Sequence, residues 1–232
     1  MLFQDDISLP HYWHSSICLA RNVSEFLICQ KKRQKKRLFY GISGDGALGK
    51  STIAKLIKNY LPNSFIIEAD GYIWGRKERL RNNIFSGDDP RAIRFNDLKM
   101  LLLNIQKETV TVEIKGYDHS AGKSYFKDQI LGKSFEFYIL DGTLSIYPEI
   151  KAHLDYLLFF DASYSTKKKL RENIDINERG YSSNCFKRNW KAYTKIYDDF
   201  LLLNRSGDDI NVMVNEKYQY RSSVINRCYC YK

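Results

Sequence analysis

No apolar run in this 232-residue chain approaches the roughly 20 residues that a membrane-spanning helix needs. The opening stretch, MLFQDDISLPHYWH, lacks the basic-then-apolar order of a secretory signal. Cys18, Cys29, Cys185, Cys228 and Cys230 are odd in number and have no metal-ligand spacing. They predict reduced thiols in a cytoplasmic protein rather than a disulfide framework. His11 and His14 form an H-x-x-H pair with no third ligand nearby, so a metal centre is not expected there. No internal repeat is present. What remains is a composition of 44% hydrophobic and 28% charged residues, that of a soluble globular protein. The length allows one α/β domain with extensions.

The formal charge of +10 is unevenly spread. Six positives lie in Lys31–Arg37, KKRQKKR, and the rest of the chain is only modestly basic. Such a run can tether nucleic acid or serve as a nuclear address. Here it abuts the start of a domain and is expected to be a solvated linker. Residues 1–36 then form an N-terminal extension, 37–216 the main domain and 217–232 a polar tail.

The stretch Phe39–Thr52, FYGISGDGALGKST, carries Gly44, Gly49, Lys50 and Ser51 at the GxxxxGK[ST] spacing of a phosphate-binding loop. An apolar run, Leu38–Ile42, precedes it as a strand. Ile53, Leu56, Ile57, Tyr60 and Leu61 follow on one face of a helix, which Pro62 closes. Strand, glycine loop and helix are the context this motif requires. Loop amides and the helix N-terminus converge on one phosphate chain. The whole loop, Gly44, Asp45, Gly46, Ala47, Leu48, Gly49, Lys50, Ser51 and Thr52, is therefore expected to bind ATP. Lys50 would reach the β- and γ-phosphates and Ser51 would offer its hydroxyl to Mg²⁺.

Beyond the loop, Phe65–Ala69 reads as a second strand ending at Asp70. A carboxylate past a strand's C-terminal end is where open α/β sheets place their chemistry. Thr109–Ile114 alternates as a strand, Phe135–Leu140 runs into Asp141-Gly142, and Tyr156–Phe160 and Asp209–Val214 complete the set. An acid ending an apolar strand is the second half of a Mg²⁺–nucleotide site, so Asp141 joins Ser51 as a metal ligand. Phe186, Trp190, Tyr193, Tyr197 and Phe200 form a helical stripe expected to be core. Strands alternating with helices predict a P-loop α/β fold: a parallel five-stranded sheet flanked by helices, with a small helical lid. No N-K-x-D or LSGGQ-like sequence argues for a GTPase or an ABC-type ATPase.

Several landmarks in one order resemble the uridine kinase and phosphoribulokinase family, over roughly residues 38–215. They are the phosphate loop, Asp70-Gly71-Tyr72, Asp88-Asp89-Pro90-Arg91-Ala92, Tyr117-Asp118, Leu140-Asp141-Gly142, and Asp175 with Glu178-Arg179-Gly180. The resemblance implies that Asp70 is the catalytic base. It implies that Asp70, Tyr72, Asp88, Tyr117 and Asp141 form the acceptor side, and that lid arginines Arg171 and Arg179 join Lys50 in clamping the transferring phosphoryl group. The chain departs from the pattern at Gly122, where uridine kinases have a pyrimidine-reading His, and at Asp89, Ile174 and Tyr181. The expectation is an ATP- and Mg²⁺-dependent phosphotransferase acting on a hydroxyl of a small molecule such as a nucleoside, with homo-oligomerisation open. The alternatives are a nucleoside monophosphate kinase or other P-loop small-molecule kinase, and a non-catalytic nucleotide-binding regulator tied to nucleic acid through Lys31–Arg37.

Overall fold

Leu38–Gly44 is an uncharged run buried along its whole length, and it forms β1. Such a strand needs cover on both faces, the mark of an interior parallel strand. The computed structural model describes residues 12–107 and 111–226. In it β1 is paired in parallel with β5 (Phe137–Asp141) on one side and β6 (Tyr156–Asp161) on the other. Outside these lie β2 (Ser64–Glu68) and β7 (Ile210–Val214), also parallel. The parallel strands number five, as expected, and each falls on a stretch read as a strand. A sixth, β8 (Tyr220–Ser222), runs antiparallel to β7 and falls within the stretch read as a polar tail. Its outer side is taken by His14, which exchanges both backbone hydrogen bonds with Tyr220, at 2.9 and 2.8 Å.

Helices cover both faces. On one, α1 (Ser16–Gln34) and α2 (Lys50–Tyr60) bring Leu19, Val23, Leu27, Ile53 and Ile57 onto Tyr40, Ile42 and Phe160. On the other, α4 (Phe95–Gln106) sets Leu98, Leu101 and Ile105 against Phe39, Tyr138 and Leu140. Ser15 caps α1 by accepting from the Cys18 amide at 3.2 Å, and Lys35 ends it in the left-handed conformation, φ 52°. The basic run expected to be a linker is thus, through Gln34, the last turn of a helix. Lys, Arg and Gln are good helix formers, and cations offset the negative helix end.

The remaining stretch read as a strand, Thr109–Ile114, lies outside that sheet. The strand is β3 (Thr111–Asp118), Thr109 and Val110 lying outside the described residues. It pairs only with β4 (Lys123–Leu131), in a separate antiparallel ribbon. The physical reason is one-sided burial: Val112 and Ile114 are buried while Thr111 and Glu113 face outward, so β3 can line a ribbon but not the interior of a sheet. His11, Cys228 and Cys230 also lie outside the described residues. Cys18, Cys29 and Cys185 are free thiols, and among the described residues no helix is long and apolar enough to cross a membrane.

The lid begins at Ser163, whose hydroxyl accepts from the Thr166 amide and caps α6 (Tyr164–Glu172). From there the backbone widens into a π-helical turn, Asn173–Glu178, before α7 (Ser183–Ile196). Such turns recur at functional sites. Phe186, Trp190 and Tyr197 of the aromatic stripe are buried, as expected.

Candidate active site

β1 delivers Gly44 to the C-terminal edge of the sheet, where the loop turns into α2. No side chain caps this helix and its first turn holds no acid, so its leading amides face the loop uncompensated. Lys50 curls back, its Nζ donating to the carbonyls of Gly44 at 3.0 Å and Asp45 at 2.6 Å. Burial pushes its pKa down, and Asp88, Asp141, Asp45 and Asp70 pull it back up. Four carboxylates from four segments therefore face one ammonium group.

Three of them come from the strand ends and the loop after α3 (Arg76–Arg81). Asp70 sits in a short 3₁₀ turn directly after β2. Asp141 is the last residue of β5, in register with Glu68 of β2. Between them Gly142 has φ 147°, and a β-carbon there would stand 2.8 Å from that of Ala69 and 3.4 Å from Asp70 Oδ1. Only glycine lets the two carboxylate-bearing turns approach this closely. Burial, with Asp88 and Asp141 adding to it, raises the Asp70 pKa from 3.8 to about 7. Burial likewise raises Asp141, with the Ser51 hydroxyl opposing as a hydrogen-bond donor. Asp141 Oδ1 is buried with no hydrogen-bond partner. An orphaned carboxylate oxygen is costly unless a cation meets it.

Asp88 turns inward, its carbonyl accepting from the Tyr147 hydroxyl at 2.7 Å. Asp89 turns away, caps the next turn and pairs with Arg91 at 2.6 Å. Tyr117, on β3, accepts at 3.4 Å from Arg79, and its ring meets His119 edge-on at 5.1 Å. His119 Nε2 lies 3.6 Å from Asp70 Oδ2. Tyr72 does not join this group: it is 2% exposed in the core, its ring facing Lys115.

The lid supplies the remaining cations. Asp175, wholly buried, accepts from Arg171 Nε at 3.1 Å with one oxygen and from Arg179 Nη1 at 3.0 Å with the other. Arg171 projects onto Gly46, and its guanidinium lies 4.0 Å over the Tyr193 ring. Lys167 is paired with Asp161 at 2.7 Å and rests on Tyr197 at 3.2 Å. Asp45, whose pKa burial raises, faces Lys167, Lys50 and Arg171.

The profile of the Phosphoribulokinase / Uridine kinase family matches residues 39–219 of the chain. The chain belongs to this family. It is 29% identical over 187 residues to a uridine kinase of Schizosaccharomyces pombe, a match covering 77% of this chain and 40% of that protein. It is 30% identical over 152 residues to a uridine kinase of Alkaliphilus metalliredigens, covering 62% and 70%. The chain thus spans well under half the length of the first of these relatives. Among solved structures, D-glycerate 3-kinase from Cryptococcus neoformans superposes with a TM-score of 0.65 at 11% identity, over 88% of this chain and 99% of that one. That likeness is one of fold.

As a member of the phosphoribulokinase and uridine kinase family, the chain has two site residues that sequence reasoning left without a role. Asp175 was a landmark in the lid and proves to be the fork that holds both arginines. Tyr193 was read as core, but it is the platform beneath Arg171. A helical stripe reports which face a residue occupies and not whether that face meets another apolar group or a cation, so no signal in the sequence separated the two. Among the other departures, Ile174 lies within the π-helical turn. The Tyr181 amide donates to the Asp175 carbonyl at 2.8 Å, closing the lid turn.

Proposed function

We propose that the chain is a kinase that transfers the γ-phosphoryl group of ATP to a hydroxyl group of a small molecule, a nucleoside being the favoured acceptor. The observation that carries this reading is Asp70, a carboxylate with its pKa raised to about 7, facing Lys50 of the phosphate loop. A general base works best when its pKa is near the working pH. In the proposed reaction the acceptor oxygen attacks the γ-phosphorus, its proton passes to Asp70, and the bond to the β–γ bridging oxygen breaks, releasing ADP. Lys50 exchanges its two carbonyl acceptors for phosphate oxygens. Arg171 and Arg179 neutralise charge spreading over the transferred group, since positioning and electrostatics carry most of such reactions.

Magnesium fits the residues present. Ser51 and the orphaned Asp141 oxygen would hold it, and it would supply Lewis-acid neutralisation of phosphate charge. Among the described residues no three His, Cys, Asp or Glu side chains gather into a self-sufficient metal site. A magnesium ion shared between one or two protein ligands, water and phosphate oxygens needs no such gathering.

Preference for a nucleoside rests on the similarity to uridine kinases and on His119, which lies beside Asp70 with the Tyr117 ring edge-on to it. A monophosphate acceptor is less well supported. Arg79 is spent on the Trp74 carbonyl and the Tyr117 hydroxyl, and Arg76 on the His119 carbonyl. The test is ADP release with a panel of nucleosides, nucleoside monophosphates, sugars and glycerate, comparing the wild type with Asp70→Asn. If no acceptor raises ATP turnover above its background, the kinase reading fails.

A further inference from the structure

The run Lys31–Arg37, for which phosphoryl transfer has no use, walls a second concavity at the far end of the sheet. It opens beside Phe39, at the start of β1. The seven residues of β1, at about 3.3 Å each, place it roughly 20 Å from the phosphate loop. The cavity holds about 630 Å³, within the roughly 300–1,000 Å³ range of small-molecule sites. Lys31, Lys35, Lys36 and Arg37 line it together with a single carboxylate, Asp155, and the apolar Phe39 and Leu154.

The positive charge there exceeds what the fold uses. The half-charge at the end of α1, about 0.5 of an elementary charge, is already met by Lys31, Lys32 and Arg33 in its last turn. Lys31 also lies 3.5 Å from Glu136, and Lys36 pairs with Asp155, which in turn accepts from the Phe39 amide at 2.9 Å. Arg37 donates to the Gly132 carbonyl at 2.7 Å. Lys35 has no carboxylate partner among the described residues and stands past the helix end, at the cavity's edge.

We propose that this cavity is a second anion site, taking a small phosphorylated metabolite whose phosphates meet Lys35, Lys31 and Lys36. The inference is independent of the kinase reading. A nucleic-acid strand is the less suitable occupant: it needs cations spaced along a track with aromatic faces open for stacking. Here the cations share one hollow, and Phe39 is only 5% exposed.

Calorimetric titration of the full chain with inorganic tripolyphosphate, at low salt and without metal, tests the proposal. The wild type should bind two molecules, one at the phosphate loop and one here, and Lys50→Ala should retain the second. In the Lys50→Ala background, Lys35→Glu should weaken the remaining site at least about tenfold, or about 1.4 kcal/mol. Lys35→Asn, which suits the left-handed backbone at this position and so keeps the fold, should weaken it less, by a few-fold. The proposal is overturned if the Lys50→Ala chain binds no tripolyphosphate, or by unchanged affinity in both Lys35 variants. It is equally overturned if a single-stranded RNA competes out tripolyphosphate at far lower phosphate concentration with the same Lys35 dependence, which marks a nucleic-acid surface.

Discussion

Arg171 of the lid reaches Gly46 of the phosphate loop so closely that a β-carbon on that glycine would stand 1.8 Å from Nη1. The obstructing atom is the tip of a long side chain, so Gly46→Ala moves the guanidinium rather than the backbone. The expected result is a large fall in turnover with thermal stability close to the wild type's. Paired activity and melting measurements check this, and an alanine variant with undiminished turnover would remove Arg171 from the reaction.

Asp70→Asn should reduce turnover by about 10²–10⁴-fold while ATP affinity, measured by calorimetry, stays within a few-fold of the wild type. The pH dependence has a definite sign. In the wild type turnover should climb as Asp70 ionises, levelling above about 7, and the Asn variant should lose that climb.

Stability follows the same group in the opposite sense. The folded pKa of about 7 lies above the unfolded value of about 3.9, so between those limits the native state holds the extra proton. Asp70's contribution to stability is therefore greatest in acid, falls as pH rises through that window, and stays lost beyond it. Asp70→Asn should raise the melting temperature at pH 8 more than at pH 5. The side chain is 37% exposed, so solvent screening keeps the difference modest.

Asp141→Asn should stabilise the metal-free chain, because it removes a buried carboxylate whose Oδ1 has no partner, and should raise the magnesium concentration needed for half-maximal turnover. Melting curves without metal and a magnesium titration of activity measure the two effects. A variant less stable without metal would contradict the reading of that oxygen.

Removing the lid fork should cost both stability and activity. Asp175→Ala leaves Arg171 and Arg179 without their shared carboxylate. Breaking a buried ion pair costs roughly 3–5 kcal/mol, and the lower end applies because Arg179 is 38% exposed and can turn to water. Denaturant unfolding gives the energy. Activity should fall more than in Arg179→Ala, since both cations lose their anchor.

The central sheet and the phosphate loop were legible because their signals are local. Spacing fixes Gly44, Gly49, Lys50 and Ser51, and unbroken apolar runs mark β1, β5 and β6. Asp70 and Asp141 could be placed because each ends such a run. β4 was not legible: in KSYFKDQIL only Ile130 is buried, and Phe126 is 62% exposed, so no alternation announces it. The π-helical turn Asn173–Glu178 leaves no periodic trace either, because the wider hydrogen-bond step depends on how the lid packs and not on residue type. Tyr72, beside Asp70 in sequence, ended in the core, since the 3₁₀ turn points neighbouring side chains in different directions.

Tyr220, held along its backbone by His14, has its hydroxyl 2.7 Å from where a β-carbon on Gly49 would sit. Two segments far apart in the sequence therefore brace the turn from the phosphate loop into α2. Disturbing either segment would be felt there, as a looser hold on triphosphate, although neither His14 nor Tyr220 has a part in the proposed chemistry.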